Sequence, residues 1–78
     1  MKTEMVKAAR AYFEGAKQKH VLNALLILER PAAVAEHPDI MDSIEKELEI
    51  MAEYEDKLEI LNKYFPVEDL PSKEVLNG

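Results

Sequence analysis

Proline placement constrains this chain more than any other feature. From Thr3 to Glu29 there is no proline, and Gly15 is the sole glycine. Arg30 precedes Pro31, and a residue before proline is pushed out of the α region, so a first helix is expected over about 3–29. Thr3 is the expected N-cap, with Glu4 favourable in the first turn. The segment PAAVAEH, Pro31–His37, suits a short helix–helix connection, giving a loop over 30–37. Pro38 reads as a first-turn proline, with Asp39 and Asp42 where the helix dipole favours anions. A second breaker-free run then extends to Tyr64 or Phe65, a helix over about 38–65 that Pro66 stops. Residues 1–66 therefore form one hairpin unit, and 67–78, with a further proline at Pro71, form a weakly structured tail.

Two helices of about 27 residues, each on the order of 40 Å long, joined by so short a loop should lie antiparallel. The expected fold is all-α: an antiparallel helical hairpin of two long helices. Its apolar patterning agrees. Ile40, Ile44, Leu48, Met51, Tyr54, Leu58, Leu61 and Phe65 follow steps of three and four, and Ile44, Met51, Leu58 and Phe65 are seven apart. On the first helix Met5, Ala9, Tyr12, Ala16, Asn23 and Ile27 share a face, flanked by Val6, Phe13, His20 and Ala24. Its second half, Val21–Leu28, is apolar almost all the way round. One partner helix cannot cover such a surface. The pattern predicts a homodimer burying Leu22, Leu25, Leu26 and Leu28 in a four-helix bundle. The alternative is a monomer in which Val67, Leu70, Val75 and Leu76 of the tail fold back.

The length supports the same expectation. Seventy-eight residues make one domain with a thin core, and with no cysteine the chain has neither disulfides nor thiolate metal sites. The net charge of −6 disfavours a nucleic-acid partner, because phosphate neutralisation needs clustered Lys and Arg. That charge is unevenly spread: residues 1–30 carry six basic and three acidic side chains, residues 31–78 four basic and thirteen acidic. A solvated face is the plain reading of Glu49, Glu53 and Asp56; a surface for a basic protein partner is the sharper one. The longest apolar run, Ala24–Leu28, falls far short of the roughly 20 residues a membrane span needs, and no signal peptide is evident, so a cytoplasmic protein is expected.

Polar residues interrupt the seam. Turning through Pro31–His37 pairs residues whose numbers sum to 67 or 68. That sets His20 against Glu47 or Leu48, Phe13 against Tyr54 or Glu55, and Asn23 against Ile44. The expected buried polar set is His20, Glu47 and Asn23, a satisfied pair that fixes register; pH response through His20 is its other use. Tyr12, Phe13, Tyr54, Tyr64 and Phe65 are expected to cluster near one end. No catalytic, cofactor or metal site is expected. The Glu-x-x-His pairs of bundle metal sites are absent, since Lys17 and Val34 precede His20 and His37 by three. Thr3, Ser43 and Ser72 are the only Ser and Thr hydroxyls, and there is no Gly-rich phosphate loop.

The strings Ala11–Tyr12–Phe13–Glu14–Gly15, Lys19–His20, Asn23, Glu36–His37–Pro38–Asp39–Ile40 and Ala52–Glu59 occur in that order. In this the chain resembles a group of small two-helix proteins of marine tailed phages, cyanophages among them, over about residues 11–65. The resemblance implies a phage origin and a host-cytoplasmic or virion setting, and it implies no activity. It places His20, Asn23, His37, Pro38 and Asp39 among the positions that the group's motif picks out. The combined expectation is a non-enzymatic interaction or structural protein. The alternatives are a modulator that binds and inhibits a host protein, and a metal- or small-ligand-binding bundle using His20 and Glu47.

Overall fold

A long helix leaves unpaired backbone groups at its ends, and three of the four ends here settle some of theirs locally. A computed structural model describes residues 2–30 and 39–66; the expected loop after Arg30 and the 67–78 tail lie outside the described residues. Helix α1 spans Lys2–Glu29. It already includes Thr3, so Thr3 is a first-turn residue and not the cap expected of it. At its far end the Arg30 amide donates to the Leu26 carbonyl at 2.8 Å, closing the last turn.

Helix α2 spans Ile40–Tyr64. Its cap is Asp39, in extended conformation at φ −131° and ψ 100°, whose carboxylate accepts from the Asp42 amide at 3.2 Å. The helix therefore starts two residues later than Pro38 suggested. Asp39 competes better for the boundary because its side chain satisfies an orphan amide. The Phe65 amide donates to the Leu61 carbonyl at 2.8 Å, and Pro66 follows.

The two helices pack antiparallel. His20 meets Glu47 and Phe13 meets Tyr54, and both pairs sum to 67. The same sum sets Val6 level with Leu61 and Ile27 level with Ile40. Along α1 the seam residues Val6, Phe13, His20 and Ile27 are seven apart; along α2 Ile40, Glu47, Tyr54 and Leu61 are too. Two matched heptad rows are the geometry of left-handed coiled-coil packing. Ala9 and Ala16 stand level with Leu58 and Met51, so small residues of α1 receive large ones of α2.

This register shifts the expected apolar faces. Met5 and Tyr12 are 65% and 66% exposed and do not line the seam. On α2 Leu48 is 51% exposed, while the neighbouring Glu47 side chain turns inward at 19%. The heptad row through Ile40, Tyr54 and Leu61 passes through 47, which leaves 48 about 100° round the helix. Phe65, the last member of the expected stripe, is 43% exposed. Among the described residues only Val6, Ala24, Ile27 and Leu58 are buried. Among the described residues no helix is long and apolar enough to cross a membrane.

Candidate functional site

The centre of the seam is polar. His20 Nδ1 lies 2.6 Å from Glu47 Oε1, with the two side chains 18% and 19% exposed. An ionised carboxylate can only accept, so Nδ1 carries the proton and donates. Asn23 Nδ2 donates to the same oxygen at 3.5 Å, a long contact. The structure thus brings together His20, Asn23 and Glu47. Asn23 also stands level with Ile44, as the sum of 67 requires.

This cluster selects one register. A slip of one heptad would set Glu47 level with Phe13 or with Ile27 and take its carboxylate away from the His20 hydrogen bond, which costs a part-buried acid its donor. No buried side-chain nitrogen or oxygen lacks a partner among the described residues.

A short aromatic stack extends from the cluster. The Tyr54 ring lies on the His20 imidazole, with centroids 6.4 Å apart and planes 18° off parallel. Phe13 is 6.1 Å from Tyr54 and meets Tyr12 edge-on at 5.7 Å. Lys57 Nζ sits 4.8 Å above Tyr54 and 6.0 Å from Phe13, within cation–π reach. Only part of the expected aromatic cluster forms, and it forms in the middle of the hairpin. Tyr64 is 63% exposed and pairs with Lys63 at 5.5 Å. Phe65 lies at the α2 terminus, so it and Tyr64 stand about two turns or more beyond Tyr54.

Arg10 and Lys57 escaped the sequence reading. Arg10 Nε donates to Asn62 Oδ1 at 3.0 Å, and Nη2 donates to the Phe65 carbonyl at 3.3 Å. A guanidinium on the last carbonyls of a helix offsets its C-terminal partial charge. Both residues lie beside the seam rows, outside the stripe that apolar spacing marks. Lys17 also bridges there, to Glu55 at 3.6 Å and Glu14 at 3.9 Å.

The four leucines of the expected oligomer interface are all exposed: Leu22 51%, Leu25 46%, Leu26 58% and Leu28 60%. They do not form one stripe. At 100° per residue they cover roughly 160° of α1, with Leu22 and Leu26 towards one flank and Leu28 towards the other. Next to Leu22 a shallow groove opens between the helices, lined by Tyr12, Gly15, Ala16, Lys19, His20 and Tyr54 among others. Glu49, Glu53 and Asp56 are exposed on the outer face of α2, away from the seam. Glu45, Glu49 and Glu53 follow one another at i,i+4, a spacing at which like charges oppose the helix by about 0.2–0.5 kcal/mol per pair.

Among the described residues no three His, Asp or Glu side chains gather as a metal ion would require. Compared with known proteins, the chain matches no family model, no curated protein and no solved structure.

Proposed function

We propose that this chain is a non-enzymatic helical interaction protein that works by self-association, as a homodimeric four-helix bundle. The observation that carries this reading is the set of large apolar side chains left outside the hairpin. Leu22, Leu26, Leu28, Met41, Leu48, Ile60 and Tyr64 are each at least half exposed, against four buried residues. A hairpin that hides so little and shows so much gains most by pairing. Sedimentation equilibrium tests the reading: the expected mass is twice 8.9 kDa at micromolar concentration. A single-chain mass up to millimolar concentration overturns it.

The His20–Glu47–Asn23 cluster is assigned a structural role, the setting of register. Titration calorimetry with Zn²⁺ or Mn²⁺ is expected to give no binding heat, and saturable heat lost in His20→Ala would revive the ligand-binding alternative.

A second reading concerns the acidic face. Glu45, Glu49 and Glu53 repeat at i,i+4 on the outer face of α2 and do nothing for its helix, which supports a use for this face outside the fold. We infer a basic protein partner, with modulation of a host protein as the corresponding role. The phage resemblance over residues 11–65 supports phage origin and a host-cytoplasmic setting. Reversing Glu49, Glu53 and Asp56 to Lys is expected to abolish salt-sensitive capture from host lysate. Unchanged capture by the reversed protein removes the acidic face from the proposal.

A further inference from the structure

Beside its seam, α1 carries a second heptad row. Met5, Ala8, Tyr12, Gly15, Lys19, Leu22 and Leu26 follow alternating steps of three and four, and all are exposed. Lys19 is the only polar member. The row is graded in size: Ala8 and Gly15, with Ala11 beside them, make its first half narrow, while Leu22 and Leu26 make its second half broad. At Gly15 a Cβ would meet nothing within 4 Å, so the hairpin itself gives no packing reason for glycine there. A mid-helix glycine weakens a helix relative to any ordinary residue. Its use here is an empty place on the outside of the helix, and it forms part of the groove beside Tyr12 and Lys19.

We infer that this row is the dimer contact, that its occupant is α1 of a second copy, and that the two α1 helices cross antiparallel about residue 17. The inference rests on the self-association proposed above and specifies its face, direction and register. In an antiparallel coiled coil the two positions of the heptad row face each other across the interface. With residue numbers summing to 34, Leu26 of one copy stands against Ala8 of the other, Leu22 against Tyr12, and Lys19 against Gly15. The broad half of each row thus meets the other copy's narrow half or its tyrosine, twice over by the two-fold axis. The Lys19 stem crosses the space above Gly15 and carries its ammonium outward to water.

The parallel arrangement fails on the same residues. It stacks Lys19 on Lys19 and glycine on glycine, and its leucines crowd one end while the other gapes. Size also fits a second copy. Residues 5–26 run about 32 Å along the helix.

Two measurements test this. Gly15→Arg improves helix propensity, and its Cβ would meet nothing within 4 Å in the single hairpin, so it is expected to leave the fold intact while filling the crossing point. By sedimentation it is expected to weaken dimerisation about 100-fold or more, with unchanged helicity by circular dichroism, while Leu28→Arg on the opposite flank has little effect. If the wild type is dimeric, Gly15→Arg stays so and Leu28→Arg dissociates, self-association stands and this face is wrong. A monomeric wild type removes both proposals.

Direction is read by cross-linking, which the absence of native cysteine makes unambiguous. The double variant Ala8→Cys/Leu26→Cys is expected to oxidise to a covalent dimer, and neither single variant is. Efficient linking of the single variants means a parallel pair and overturns the register.

Discussion

Along one long side of the hairpin, Arg10 reaches Asn62 and the carbonyl of Phe65, the residue that caps α2, and Lys17 reaches Glu55. Along the other, Met5, Tyr12 and Leu26 stand in the open beside a glycine with nothing over it. The first side is tied off by polar contacts between helices that are already neighbours. The second has the same helical spacing and the same length, but among the described residues no hydrogen bond or ion pair ties it, only Lys57 lying over Phe13 and Tyr54. The difference shows that being exposed and being finished are separate properties. Arg10 keeps its charge near water and still satisfies α2. The Leu26 side chain, 58% exposed, is left largely to water.

The seam common to both sides carries the largest expected effect. Leu58 is 5% exposed, and Leu58→Ala should cost about 2–4 kcal/mol in denaturant unfolding, whichever side is the interface. A loss below about 1 kcal/mol would mean that the register described here is wrong. Next comes the contrast between sides. Leu26 and Leu28 are 58% and 60% exposed, so in a lone hairpin Leu26→Gln and Leu28→Gln should be equally mild, within about 0.5 kcal/mol. If the untied side is covered by a second copy, Leu26→Gln should weaken the dimer by about 1.5–3 kcal/mol, read as a concentration-dependent fall in melting temperature, and Leu28→Gln should not. Equal effects would erase the distinction.

Glu47→Gln keeps the shape of the seam and removes the charge from the His20 hydrogen bond. It should cost about 1–2 kcal/mol, and a two-dimensional amide spectrum should show whether neighbours on both helices shift. Smallest is the tied side itself. Arg10→Ala should cost up to about 1 kcal/mol, and part of the loss should disappear at 1 M salt, where exposed charges are screened.

The helices were legible because prolines and apolar spacing act locally. Pro31 and Pro66 bound the runs, and Asp39 needs only its own next turn to cap α2. The pairing of His20 with Glu47 was within reach too, because an antiparallel hairpin obeys one arithmetic rule once its turn is placed. What escaped was angular. Residues 47 and 48 differ by one position, and hydropathy favours Leu48, yet donors on the opposite helix turn Glu47 inward. Met5 and Tyr12 read as seam residues because two heptad rows run side by side on α1, and apolar spacing does not say which faces α2. Arg10 was hidden for another reason: its partner includes a backbone carbonyl, which no side-chain pattern marks.

The polar cluster also has a consequence in time. A hairpin closes from its turn outward, and the His20–Glu47 contact spans 27 residues whereas Arg10 and Phe65 are 55 apart. Doubling a loop adds only about 0.6 kcal/mol to its closure, so the far clasp is entropically little dearer than the near one. It is, however, later. A chain zipping up in the wrong alignment meets the misplaced carboxylate of Glu47 halfway along, before the terminal turns have touched. It can open again at the cost of half a seam. In a chain that closes from the turn end, the central acid would test alignment halfway along, where only half a seam has to reopen.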